Sequence, residues 1–286
     1  YVPASLDDDP VRAKEYAYRL LEGVRSSLEA ESGAVITSSC AQAFENKEKG
    51  RLSVFLGLEN GSPIGGSLEE IQNFYDAGVR YITLCHTGNN QICDSCAQST
   101  ARWNGLSPFG KEVVAQMNRI GMMVDVSHIS DRSFYDVMEY STKPVVATHS
   151  CCRALADHPR NMTDEMIRLI AAKGGVVQVN FYPLFLDAGF GSEMNASGIL
   201  DRGEAIEDDF IADPSDPRRR EAWYAVLDEL NALARPSYKR IVDHIDHIVS
   251  LVGTDYVGLG SDFDGIAVTP QGMEDISRFG LVFDEM

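Results

Sequence analysis

The chain has 286 residues, 44% hydrophobic and 24% charged, the composition of a globular protein with one large core or two modest ones. Its formal net charge of −18 argues against nucleic acid or an anionic membrane surface as a partner. No apolar run approaches the length of a membrane span, and six cysteines are too sparse for a disulfide scaffold.

Asp9 and Pro10 open a helix with Ala13, Tyr16, Ala17, Leu20, Leu21 and Val24 on one face. Residues 33–37 form a short strand candidate, residues 41–49 a helix, and residues 52–59 a strand ending in the carboxylate of Glu59. Ser67 caps a helix that turns Leu68, Ile71, Phe74 and Tyr75 inward and stops at Gly78. The next strand runs through residues 79–86 and ends in His86. A polar loop, residues 87–106, carries Cys93 and Cys96. With no second C-x-x-C pair, these read as a loop disulfide or two free thiols rather than a redox or zinc motif. Ser107 and Pro108 then start a helix with Phe109, Val113, Met117 and Ile120 inward and Gly121 at its stop.

Chemistry is densest in residues 122–161. Two short apolar runs, residues 122–126 and 145–147, lead into His128 and His149. Between them Ser130 caps a helix bearing Phe134, Val137 and Met138. Cys151 and Cys152 read as packing residues, and His158 as structural. Arg160 lies in a Pro-Arg-Asn loop, as either a helix-end salt bridge or a bidentate clamp for a carboxylate. Thr163 caps a helix with Met166, Ile167 and Ile170 inward, closed by Gly174, and a strand follows at 175–181. Residues 183–220, rich in Gly, Ser, Asp and Glu, read as an acidic insertion. Residues 221–234 and 238–252 are helical, with His244 and His247 at the surface or a helix end. The last strand, 255–261, leads into Asp262, while Asp264 and Gly265 serve a turn.

Strand and helix alternate, the rhythm of parallel βα units. Strand candidates at 33–37, 52–58, 79–85, 122–127, 144–148, 175–181 and 255–261 predict an α/β fold of the (β/α)8 TIM-barrel type. On this reading residues 1–286 are a single catalytic barrel domain, truncated at both ends and lacking the first strand and last helix. Glu59, His86, His128, His149 and Asp262 each follow an apolar run, and a barrel would bring all of them to one mouth. Two imidazoles and a carboxylate suit zinc or manganese, and a bound ion would bring the pKa of its water near neutrality. Asp262 is the better general acid/base candidate.

The motifs G-L-E-N-G at 57–61, T-L-C-H at 83–86, L-S-P-F-G at 106–110, V-D-V-S-H at 124–128, T-H-S at 148–150, R-N at 160–161, V-N-F-Y at 179–182 and G-S-D-F-D-G at 260–265 resemble those of the membrane (renal) dipeptidase family of metal-dependent amidohydrolases. The resemblance implies two zinc ions, with Glu59 bridging them and His128 and His149 completing one. It implies that His86 binds and polarises the scissile carbonyl, that Asp262 moves the proton, and that Arg160 binds the carboxylate of a dipeptide. The family's first-strand His-x-Asp pair, ligands of the other zinc, is not found in this sequence, and Asn60 stands where the glutamate motif usually has glycine. The expected activity is hydrolysis of dipeptides with a free carboxy terminus. Alternatives are a related amidohydrolase acting on another amide or lactam, such as an N-acyl amino acid, and a non-catalytic binding barrel. A family-like homodimer stays open, and cytoplasmic, periplasmic and secreted locations are all compatible with the sequence.

Overall fold

The computed structural model describes residues 1–29 and 33–286, which form two compact units. The first comprises Tyr1–Ala147 with Ala172–Gly175; the second comprises Thr148–Ala171 with Val176–Met286. Among the described residues, no helix is long and apolar enough to cross a membrane.

The first unit begins with α1 (Pro10–Glu29), which buries Ala13 and Ala17 but leaves Leu20 and Val24 at 39% exposure, so only the amino-terminal half of the predicted face is covered. Strand β1 (Ala34–Ile36), helix α2 (Cys40–Glu48) and β2 (Leu52–Val54) make a small parallel pair. The single strand expected over 52–59 is therefore two. The chain changes partner at Phe55, and β3 (Leu56–Glu59) pairs instead with β4 (Val79–Thr83). An apolar run reports burial but not which sheet receives it, which is why the break is not visible in the pattern. Gly57 is needed here because a Cβ would lie 2.0 Å from the Tyr81 ring.

From β3 the alternation holds: α3 (Leu68–Asp76), β4, α4 (Pro108–Ile120), β5 (Met123–Asp125), α5 (Asp131–Tyr140) and β6 (Val145–Ala147). The strands are parallel in the order β3-β4-β5-β6. Ile71 and Phe74 of α3, Val113 and Met117 of α4, and Phe134 and Val137 of α5 are buried as predicted. The caps at Ser107 and Ser130 are as read, whereas Ser67 precedes α3 without a side-chain cap bond. The Ser107 hydroxyl accepts from Gly110 N, the Ser130 hydroxyl accepts from Ser133 N, and Gly121 takes the left-handed conformation at φ 82°. Register aligns Glu59 with Thr83 and Thr83 with Asp125, so β3, β4 and β5 release their chains at one edge.

The second unit contains α6 (Asp164–Ala172), whose last residue lies in the first unit, and the parallel pair β7 (Val176–Asn180) and β8 (Val257–Gly260). Residues 183–220, read as an acidic insertion, are largely helical. They form α7 (Pro183–Leu186), α8 (Ala188–Ser197), α9 (Ile199–Ala212) and the start of α10 (Pro217–Ala232). Phe190, Met194, Ile199, Trp223, Val226, Leu230 and Val268 pack into a core of their own. Sparse apolar residues among small and acidic ones hid this, although Phe190 and Met194 stand one helical turn apart. Next comes α11 (Lys239–Val252), which buries Ile241, Ile245 and Ile248. The unit also contains α12 (Phe279–Glu285).

Candidate metal centre and substrate anchor

Three of the predicted site residues meet at the shared edge of the first unit. His128 Nε2 lies 3.1 Å from Glu59 Oε1, and His86 Nε2 lies 4.0 Å from the same oxygen. The two imidazole rings are 4.3 Å apart and tilted by 32°. One ligand atom from each of Glu59, His86 and His128 falls within 4.8 Å of the others. Tetrahedral ligands at ~2.0–2.1 Å from an ion stand about 3.4 Å apart, and the two measured separations straddle that spacing. Two imidazole nitrogens and a carboxylate oxygen are also the donor types that zinc-like ions take. The group therefore fits a divalent metal. It includes His86, which the sequence reading had set apart from the ligands.

The surroundings explain how these side chains converge. His128 has φ 70°, a left-handed conformation that is strained for any residue with a side chain. Its carbonyl is held by Cys96 N at 2.8 Å and Ser95 Oγ at 3.3 Å. Asp125, fully buried at the end of β5, accepts from Ser127 N at 3.0 Å and from Thr83 Oγ1 at 2.6 Å. It thereby ties the turn before His128 to the neighbouring strand. The His86 carbonyl accepts from Ser95 Oγ at 2.5 Å, so one hydroxyl braces both histidine backbones. The loop between them is organised by Asp94, whose carboxylate accepts from Arg102 N, Trp103 N and Gly105 N. Cys93 and Cys96 are free thiols. Burial pushes the Cys85 thiol well above its ordinary range.

His149, Arg160 and Asp262 belong to the second unit. His149 is buried, with Nδ1 2.7 Å from Thr148 Oγ1, and its carbonyl accepts from Arg160 Nη2 at 3.2 Å. The Arg160 guanidinium lies 5.2 Å over the Phe185 ring, and its buried Nη1 has no hydrogen-bond partner. A buried guanidinium with a vacant donor is poised for an anion. His158 Nδ1 accepts from Arg160 N at 3.1 Å; burial, with the nearby guanidiniums, lowers its pKa to about 4. Asp262 has φ 58°, and its Oδ2 accepts from Asn180 Nδ2 at 3.0 Å. Asp264, at φ 70°, serves the turn as read. Cys151 and Cys152 are buried packing residues, and burial pushes the Cys152 thiol up to about 12.

His244 corrects the surface reading. It is completely buried, with Nδ1 accepting from Cys152 N at 3.0 Å and Nε2 3.1 Å from Leu186 O. A neutral ring protonated on Nε2 satisfies both contacts, and burial lowers its pKa to about 4. His247 keeps its helix-end role, with Nε2 2.8 Å from Asp164 Oδ1 at the start of α6. Sequence reasoning passed over Asp125 and Asn180. Both lie within the quoted motifs, at positions where a polar residue closes an apolar run.

Comparison with known proteins points to one family. The family model described as membrane dipeptidase, peptidase family M19, matches residues 2–286. An uncharacterized dipeptidase of Schizosaccharomyces pombe is 35% identical over 83% of this chain and 47% of its own length. The dipeptidase verJ of Clonostachys rogersoniana is 33% identical over 89% of this chain and 53% of its own. The chain thus spans about half the length of these relatives. The crystal structure of the probable dipeptidase PvdM from Pseudomonas aeruginosa superposes with a TM-score of 0.78 at 28% identity, covering 100% of this chain and 75% of the other. The chain belongs to the membrane dipeptidase family, peptidase family M19.

Proposed function

We propose that this protein is a metal-dependent dipeptidase that hydrolyses the peptide bond of dipeptides with a free terminal carboxylate. The observation that carries this reading is the convergence of Glu59, His86 and His128 on one set of donor atoms, in a chain of this family. A bound divalent ion would supply an acidified water and a Lewis acid for the scissile carbonyl. Zinc is the proposed metal, with two ions expected from the family. Glu59 is the proposed bridging ligand, and His128 and His149 are further ligands. His86 orients the scissile carbonyl and stabilises the oxyanion. Its 4.0 Å distance from Glu59 also suits a direct ligand. Asp262, oriented by Asn180, accepts the proton of the attacking water and returns it to the leaving amine. Arg160 binds the terminal carboxylate, a role supported by its unpartnered, buried Nη1. The (β/α)8-type barrel and the homodimer belong to the same proposal, and sedimentation checks the latter.

The test is hydrolysis of Ala-Ala and of its carboxy-terminal amide by zinc-loaded protein. Turnover of the free acid with strong discrimination against the amide is expected. A metal-replete protein inert toward a panel of dipeptides would remove the proposal.

A further inference from the structure

His158, Pro159, Arg160 and Asn161 form a tight turn, closed by Asn161 N donating to His158 O at 2.9 Å. Proline suits the second position because its φ is preset, and it keeps the preceding His158 out of helical backbone. A turn of this kind supplies no partner for the N–H of its third residue, here Arg160. The His158 ring supplies one, with Nδ1 accepting from Arg160 N at 3.1 Å. Asparagine and aspartate side chains commonly make this bond to the backbone two residues on. Asn161 fastens the turn to its surroundings, its Nδ2 donating to Ala156 O and to Phe185 O at 2.8 Å each.

His158 and Arg160 meet again at Phe185. The His158 ring tilts against it with centroids 4.8 Å apart, and the Arg160 guanidinium lies 5.2 Å from its centroid. Arg160 Nη2 is committed to His149 O at 3.2 Å, which leaves the buried Nη1 as the vacant donor. An arginine side chain is long and rotamer-rich, so it aims Nη1 reproducibly only if its head and its backbone are both fixed. Phe185 and His149 O fix the head, and His158 fixes the backbone. The imidazole does this only while Nδ1 is unprotonated. Burial first, then the guanidiniums of Arg160 and Arg153, lower its pKa to about 4 against the opposing pull of Asp157, so the acceptor persists at neutral pH. A neutral ring also places no second positive charge beside the anchor.

We infer that His158 is a positioning residue for substrate binding: by holding the Arg160 backbone in the turn, it aims the vacant Nη1 at the terminal carboxylate of the dipeptide. The inference rests on the proposed role of Arg160. The decisive contact is Nδ1 with Arg160 N rather than the stack on Phe185, because that N–H is the group the turn leaves without a partner. Its loss weakens binding of the free carboxylate by about 3- to 10-fold, the span of one hydrogen bond. The effect enters through KM, since the terminal carboxylate is bound alike in the ground and transition states.

The experiment measures kcat, KM and calorimetric affinity for Ala-Ala and its carboxy-terminal amide in the zinc-loaded protein and in three variants. His158→Ala removes both contacts. His158→Asn offers Oδ1 to the same N–H without a ring, and His158→Phe keeps a ring against Phe185 without an acceptor. In His158→Ala and His158→Phe the KM for Ala-Ala rises about 3- to 10-fold with kcat little changed, while kcat/KM for the amide holds. His158→Asn restores the KM of the free acid. An unchanged KM in His158→Ala overturns the inference. So does rescue by His158→Phe but not by His158→Asn, which assigns the effect to the stack, or an equal loss for acid and amide, which marks a general loss of structure. Should His158→Ala fail to fold, the contrast between His158→Asn and His158→Phe decides alone. If nothing is hydrolysed, a calorimetric preference for acid over amide that His158→Asn keeps and His158→Phe loses supports the inference without catalysis. No such preference in the unaltered protein removes the Arg160 anchor and this inference with it; a preference that every variant keeps removes this inference alone.

Discussion

His244 gives the most quantitative forecast. Its ring is buried between Cys152 N and Leu186 O, and burial lowers its pKa from the ordinary 6.5 to about 4. The folded state therefore resists a proton that the unfolded chain accepts. Above pH 6.5 the residue is neutral in both states and imposes no penalty. As pH falls through 6.5 the unfolded state gains a proton and stability drops, until the folded ring protonates near pH 4. The full span is on the order of 3 kcal/mol, and between pH 7.5 and 5 it amounts to about 2 kcal/mol. The assay is urea unfolding of the metal-free protein and of His244→Gln across this range. His158 is shifted the same way and contributes equally to both proteins, so the difference between them isolates His244. The variant is less stable at pH 7.5, where the two hydrogen bonds are lost, and the gap narrows by about 2 kcal/mol by pH 5. A gap independent of pH, or an imidazole resonance for His244 that titrates near 6.5 in the folded protein, would refute the argument.

Other substitutions report on the site and its frame. Glu59→Gln replaces the oxygen shared by both close contacts with a neutral amide; metal affinity is expected to fall by at least about 100-fold in chelator competition, and unchanged metal content would discard the bridging role. Arg160→Ala removes a buried guanidinium and is expected to cost about 2–5 kcal/mol in kcat/KM for free dipeptides but not for their amides. Equal losses for acid and amide would reject the clamp. Asp262→Asn keeps the shape and the partner Asn180 but cannot take a proton; kcat should fall at least about 100-fold with KM little changed, and a variant limited in KM alone would contradict the proton role. Gly57→Ala drives a methyl into the Tyr81 ring and should lower stability by about 1–3 kcal/mol in a urea titration; a neutral result would mean the ring moves freely.

What the sequence disclosed, and what it withheld, follows from the range of each interaction. Ser107, Ser130 and Gly121 act within a few residues of themselves, and the caps and stops they predict are present. Glu59, His86 and His128 stood out because a polar group at the end of an apolar run loses stability unless something there pairs with it. That logic picks out the residues that carry chemistry, but it does not order their roles. The short distances among Glu59, His86 and His128 now give His86 as good a claim to the ion as its neighbours. The break at Phe55 and the core beneath α8 to α10 depend on which distant strand or helix receives an apolar side chain, and periodicity carries no such information. His244 was misplaced for the same reason, since its partners lie 92 and 58 residues away in the chain. The residues that hold the site in shape were the least visible. Asn60, Asp125 and Asn180 have the composition of ordinary turns, and register alone sets Asp125 beside Thr83. A backbone held at φ 77° at Asn60 and 70° at His128 stays there only because such residues over-determine it, so the strain is better evidence for a built site than the histidines alone.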